Sequence, residues 1–212
     1  MSDAERRKWD GKYASGGYRP RSAASPFLES WLAELRPPSG ARALDLACGA
    51  GRNALAVAAA GYRVDAVDIS EVALDMGRAE AQRRGLELDW SARDLDEWVP
   101  PVGAYDLITV FRYRNERLWP RLVDALAPDG WLIVEHHLRT GAPVDGPPSN
   151  EFRIEPGELL AAFGELRVVH YSEATGTEID ERTGDEWHFA LARVVACNGD
   201  PATSGPALLA TP

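Results

Sequence analysis

Apolar positions along the chain follow two alternating rhythms. Short runs at Ala43 to Ala47 (ALDLA), Arg63 to Asp68 (RVDAVD), Leu86 to Ala92 (LELDWSA), Tyr105 to Phe111 (YDLITVF) and Trp131 to Glu135 (WLIVE) read as strands. Between them, Arg52 to Ala60, the stretch after Ser70 to about Arg84, and Glu116 to Ala127 read as helices. Ser70 is a predicted N-cap, Gly85 a predicted C-terminal stop, and Pro128-Asp129-Gly130 a predicted break before the fifth strand. YDLITVF is apolar almost throughout, as the buried centre of a parallel sheet should be. A further helix is expected from Glu155-Pro156-Gly157-Glu158, with proline in its first turn. Leu166 to Tyr171 and Glu186 to Val195 read as two last strands, separated by a turn-rich acidic stretch. Before the first strand, Pro26 to Leu35 has helical spacing and ends at Pro37-Pro38-Ser39-Gly40. The expected organisation is a helical and aromatic cap over residues 1–40, a domain over 41–197, and a disordered tail over 198–212 rich in Gly, Pro, Ala, Ser and Thr.

Composition narrows the class. A chain of 212 residues suffices for one α/β domain with a buried core. No apolar run reaches the length of a membrane span, so no membrane partner is expected. The opening MSDAERRKWDGKY lacks the apolar core of a secretory signal. Cys48 and Cys197 are the two cysteines, which excludes a disulfide framework and makes the reducing cytoplasm the expected location. A formal net charge of −10 argues against a broad nucleic-acid footprint. Glu135-His136-His137 lacks convincing zinc spacing, and no metal site is expected.

The candidate chemistry lies at Ala43 to Asn53, ALDLACGAGRN, where a strand turns at Gly49-Ala50-Gly51 into a helix. That geometry suits a nucleotide: glycine admits a close ligand, and a helix start presents free N–H groups. Gly49-x-Gly51-x-x-Ala54 fits the dinucleotide fingerprint, so an NAD(P)-dependent oxidoreductase is one reading. Asp45, expected at the mouth of the turn, favours a ligand with a cation nearby, such as a methionine amino group. Asp68, at the end of the second strand, suits ribose hydroxyls in either case. Ile69 beside it is placed to pack on an adenine face.

These residues resemble the first motif of the class I S-adenosylmethionine-dependent methyltransferases, acid-x-G-x-G-x-G, here Asp45-Leu46-Ala47-Cys48-Gly49-Ala50-Gly51 with Ala47 in place of the first glycine. Tyr105-Asp106-Leu107-Ile108 and the Pro-Asp-Gly passage before the fifth strand extend the resemblance. Trp9-Asp10-Gly11-Lys12-Tyr13, Gly51-Arg52-Asn53-Ala54, Gly61-Tyr62-Arg63-Val64, Val67-Asp68-Ile69-Ser70 and Pro156-Gly157-Glu158-Leu159 are similar to the tellurite-resistance-like branch. The resemblance implies a Rossmann-like, seven-stranded, mostly parallel α/β sheet with an antiparallel edge hairpin and helices on both faces.

It also implies S-adenosylmethionine as cofactor, S-adenosylhomocysteine as product, and in-line displacement of a methyl group by an acceptor lone pair. Cofactor contacts are then expected at Tyr13, Asp45, Ala47, Gly49, Gly51, Arg52, Asn53, Asp68, Ile69, Asp94, Leu95 and Phe111. Catalytic roles are expected at Phe111, Arg112, Tyr113 and His136, with His136 or His137 as general base for a hydroxyl or thiol. The absence of an Asn/Asp-Pro-Pro-aromatic sequence after YDLITVF counts against base methylation. The acceptor is expected to be a small molecule: an oxyanion, a thiol or a carboxylate-bearing compound, since Arg52, Arg112, Arg114 and Arg139 lie near the expected mouth. The loop Thr140 to Asn150 is expected to cover it. A catalytically silent S-adenosylmethionine-binding protein is the alternative, and the assembly is expected to be a monomer or homodimer.

Overall fold

In the computed structural model, which describes residues 3–199 apart from 17 and 19, the apolar runs form seven strands. They are β1 (Arg42–Leu46), β2 (Arg63–Asp68), β3 (Asp89–Ala92), β4 (Tyr105–Phe111), β5 (Leu126–His137), β6 (Arg167–Ile179) and β7 (Glu186–Cys197). The helices are α1 (Asp3–Ala14), α2 (Pro26–Glu34), α3 (Arg52–Ala59), α4 (Glu71–Arg84), α5 (Trp119–Ala125) and α6 (Glu158–Phe163). One sheet runs in the order β3-β2-β1-β4-β5-β7-β6. The first five strands pair in parallel, and β7 is antiparallel to both β5 and β6. The order reverses between β1 and β4, which opens a crevice at their C-terminal ends. None of the described helices is long and apolar enough to cross a membrane. Most of the tail predicted for 198–212 lies outside the described residues.

Alternation along the strands builds two cores. Leu44, Leu46, Ile108 and Leu132 face α5 and α6 through Trp119, Leu122 and Phe163. Ala43, Leu107 and Ile133 face the other way, towards Leu28, Ala54 and Val57 of α2 and α3.

Where boundaries differ from expectation, capping and turn chemistry explain it. The third strand starts at Asp89 rather than Leu86, because the Gly85 and Leu86 amides donate to Gln82 and Ala81 and close α4. Helix α5 starts at Trp119 rather than Glu116, since Asn115 holds a turn through the Arg117 and Leu118 amides. Pro128-Asp129-Gly130 does not separate a helix from a strand. It forms an irregularity within β5, where the partner of Tyr105 is Leu126 and that of Leu107 is Trp131. Pro156 precedes α6, whose N-cap is the left-handed Gly157. Strand β6 extends to Ile179, which reduces the acidic stretch to a turn over residues 180–185. Ser70 does cap α4, accepting from the Ala73 amide at 3.2 Å.

Trp90 on edge strand β3 reaches over the end of β1. Its indole abuts Gly51 at the start of α3 and Gly77 in α4, where an added Cβ would stand 2.5 Å from the ring. Alanine is normally the better helix former by about 1 kcal/mol. At Gly77 the clash reverses that preference, and Gly77→Ala should destabilise the fold by roughly 1–3 kcal/mol in urea denaturation. In a Trp90→Leu background the same change should be neutral or stabilising; an equal loss in both backgrounds would refute the packing account.

Candidate functional site

The chain leaves β1 through a left-handed turn, with φ of 55° at Ala47, 57° at Gly49 and 78° at Gly51. Ala47 adopts this conformation with a Cβ, at a cost of about 1–2 kcal/mol. Asp68 closes the turn: its Oδ2 accepts from the Gly49 amide at 2.8 Å and its Oδ1 from the Ser70 amide at 2.9 Å. Burial pushes the Asp68 carboxyl above its ordinary value, and these amides oppose the shift.

Above the turn is a cavity of about 130 Å³. Ala47 and Gly49 form its floor, Asp68 one polar wall, Ile69 and Leu95 an apolar wall, and Phe111, Arg112 and Tyr113 the side at the end of β4. Three aromatic residues of the N-terminal segment complete it, namely Trp9, Tyr13 and Tyr18, with Tyr18 edge-on to both other rings. The Tyr13 hydroxyl lies only 2.6 Å from where a Cβ on Gly49 would stand, so glycine is needed here for that approach. Helix α1 is anchored by Asp10, which accepts from the Ser70 hydroxyl at 2.6 Å beside the N-terminus of α4.

The remaining predicted site residues lie elsewhere. Asp45 is not at the mouth of the turn but only 2% exposed beneath it. Its Oδ1 accepts from the Thr109 hydroxyl at 2.7 Å, while its Oδ2 is buried without a hydrogen-bond partner. Gly51 makes room for the Trp90 ring and does not line the cavity. Asn53 is buried and accepts from the Ser25 amide at 3.0 Å. Asp94 accepts from the Asp96 amide in its own turn and does not line the cavity, although Leu95 does. His136 is 2% exposed, its Nδ1–H pointing at the His137 carbonyl, and lines neither this cavity nor the next. Burial drives its pKa down to about 4, so it is neutral but out of reach as a general base.

A second cavity, of about 30 Å³, was not foreseen in this form. Arg21, Arg52, Arg112 and Arg193 surround it together with Glu135 and Glu178. Arg112 lines both cavities. Glu135 sits at the base, accepting from Arg112 at 3.0 Å and Arg193 at 2.7 Å. Burial alone would raise its carboxyl, but the two arginines outweigh that and hold it below the ordinary range. Of the four arginines read as lying near the mouth, Arg114 pairs with Glu158 and Glu116, and Arg139 with Glu155. The loop expected to cover the site is held by Arg153, which donates to the carbonyls of Leu138, Asp145 and Pro147, and its Gly146 packs against His137.

Strand order and a cavity at the β1–β4 crevice define a class I methyltransferase fold. Residues 43–130 match the family model described as a methyltransferase domain. The ubiquinone biosynthesis O-methyltransferase of Bordetella pertussis is 30% identical over 134 residues, which are 60% of this chain and 54% of that protein. The chain thus spans about half the length of the curated relatives it matches. TehB from Haemophilus influenzae superposes with a TM-score of 0.68 at 19% identity, over 91% of this chain and 66% of that one. The [4+2]-cyclase SpnF superposes with a TM-score of 0.65 at 18% identity, over 92% and 94%. Residues 43–130 thus match a methyltransferase domain on a fold shared with class I methyltransferases, TehB among the structural neighbours, and the cofactor this likeness implies is S-adenosylmethionine.

The cavity fits such a nucleoside in character. It offers a carboxylate, an apolar wall and a floor glycine that a side chain would fill.

Burial pushes the Asp45 carboxyl up to about 7, with the Thr109 hydroxyl opposing. The unfolded chain ionises this group near its ordinary 3.8, so between these values the folded state holds the proton more tightly. Stability from this group is therefore present at acid pH and lost as pH rises through that window. Asp45→Asn removes the dependence. Urea unfolding of both proteins between pH 4.5 and 7.5 should show the difference shifting steadily in favour of the variant; a difference independent of pH would show that Asp45 is solvated.

Proposed function

We propose that the protein catalyses S-adenosylmethionine-dependent methyl transfer to a small-molecule acceptor. The observation that carries this reading is Asp68, a buried carboxylate lining the cavity directly beside Gly49 and Ile69. When bound, S-adenosylmethionine supplies a methyl group on a positively charged sulfur. Asp68 would accept from the ribose hydroxyls, while Ile69 and Leu95 enclose the adenine. Gly49 and Ala47 would face the methionine end. Phe111 and Tyr113, with Trp9, Tyr13 and Tyr18, present aromatic faces that favour a cation and exclude water.

Positioning of this kind supplies up to ~7–11 kcal/mol in well-oriented systems. His136 has no part in it, and proton removal from the acceptor would fall to solvent or to the acceptor's own ionisation. A sequence with only two cysteines and a negative net charge supports a small-molecule enzyme of a reducing compartment. A second reading, a protein that binds the cofactor without transferring its methyl group, is favoured by the closeness in fold to a cyclase.

Calorimetric titration with S-adenosylmethionine, S-adenosylhomocysteine and NAD(P) tests the cofactor. Both sulfur nucleosides should bind in the micromolar range. Asp68→Ala should weaken them at least tenfold, and Asp68→Asn, which keeps one acceptor oxygen, less so. Binding of NAD(P) alone would overturn the reading.

A further inference from the structure

The arginine-lined cavity is built rather than incidental. Arg21 and Arg112 stack on the Trp187 ring, their Cζ atoms 4.6 and 5.3 Å from its centroid. Arg193 lies over Phe27 and Phe189 at 5.1 and 5.8 Å. Stacking holds guanidinium groups in place without neutralising them. Four guanidinium groups face two carboxylates in the lining, and Asp180 just beyond it also pairs with Arg21 at 3.5 Å, so the lining keeps an excess of positive charge. Glu178 is taken by Arg21 at 2.7 Å, and Glu135 by Arg112 and Arg193.

Arg52 is the surplus cation. Its Nη1 donates to the Ala23 carbonyl at 3.3 Å, and among the described residues it makes no ion pair. It heads α3, the helix end at which a cation is disfavoured. Burial lowers its pKa, with Arg21 adding to the effect. Arg112 is lowered to about 10, by burial first, with repulsion from Arg52 and Arg21 adding to it against the pull of Glu135. Such crowding of like charges is relieved by an anion.

The size of the cavity limits that anion. At about 30 Å³ it holds roughly two water-sized groups, which suits the oxygens of a single carboxylate and not a whole metabolite. A free inorganic oxyanion held here would keep its lone pairs on the far side of Arg112 from the aromatic cavity. An organic molecule can instead place its anionic end in the arginine box and its nucleophilic atom across Arg112, beside Phe111 and Tyr113.

We infer that Arg21, Arg52, Arg112 and Arg193 form the subsite for the carboxylate end of an organic acceptor, an assignment that rests on the methyl-transfer reading above. Arg52 supplies the charge not already committed to a protein carboxylate. Arg112 spans the two cavities and orients the acceptor between them.

Succinate serves as the probe, titrated calorimetrically into the protein alone and into the protein saturated with S-adenosylhomocysteine, with inorganic phosphate titrated in parallel. Succinate should bind in both cases. Arg52→Gln should weaken it at least tenfold while changing the affinity for S-adenosylhomocysteine less than twofold, and Arg52→Lys should recover part of the loss. Because Arg52 makes no ion pair among the described residues and acts on the buried Glu135 and Asp45 only at longer range, Arg52→Gln should melt close to the parent protein. Competition between succinate and S-adenosylhomocysteine would overturn the assignment. So would binding of phosphate without succinate, unchanged affinity in Arg52→Gln, or no succinate binding at all. Failure of S-adenosylhomocysteine to bind while succinate binds in an Arg52-dependent way would instead remove the methyl-transfer reading and leave an anion site.

Discussion

The carboxylate of Asp68 holds the end of β2 to the turn after β1 through the Gly49 amide, and to the start of α4 through the Ser70 amide. The Ser70 hydroxyl passes the connection on to Asp10, and hence to α1 with its three aromatic neighbours. Hydrogen bonds to a charged group contribute about 1.5–3 kcal/mol each, against a desolvation cost that the raised pKa of Asp68 reflects. The same atoms therefore shape the turn, seat the N-terminal helix and wall the cavity. A ligand that hydrogen-bonds to Asp68 enters a network already used for folding. This is why the aromatic cover and the glycine turn cannot be considered separately.

Much of this arrangement was legible in the sequence because it is local. The apolar runs, the Ser70 cap, the Gly85 stop and the acid ending β2 each act within a few residues, and the mostly parallel sheet with its antiparallel edge hairpin followed from the family resemblance. Asp45 was misplaced for a reason that strand geometry supplies. It shares a face with Ala43, opposite Leu44 and Leu46, and its register partner on β4 is Thr109. A residue on that face looks into the α3 side of the sheet and not out of the turn.

Contacts between distant segments left no such trace. Gly51 reads as a ligand glycine until Trp90, on another strand, is seen to fill the space. Asn53 reads as part of a cofactor motif but spends its oxygen on the amide of Ser25. Arg21, Arg52, Arg112 and Arg193 come from the N-terminal segment, α3, the end of β4 and β7, with no spacing that announces their convergence. Arg114 and Arg139, equally prominent in the sequence, are neutralised by nearby glutamates and drop out.

Arg112 joins the two halves of the site, and its backbone carries the mark of that position. It has a φ of 62° without being glycine, a conformation that persists only when its surroundings over-determine it. Here they do: the Arg112 amide donates to the Glu135 carbonyl at 2.9 Å, its guanidinium pairs with the Glu135 side chain, and Trp187 supports the plane. One buried glutamate thus fixes both the backbone and the head of the residue between the cavities. Glu135 is shared between Arg112 and Arg193, so Arg52 is left as the excess positive charge of the second cavity in a chain whose net charge is −10. In such a chain an exposed cationic patch would be met by the chain's own carboxylates, as Arg114 and Arg139 are. The aromatic-stacked Arg21, Arg112 and Arg193 are met in the same way by Glu178 and Glu135, and of the four only Arg52, donating to the Ala23 carbonyl at the head of α3, makes no ion pair among the described residues.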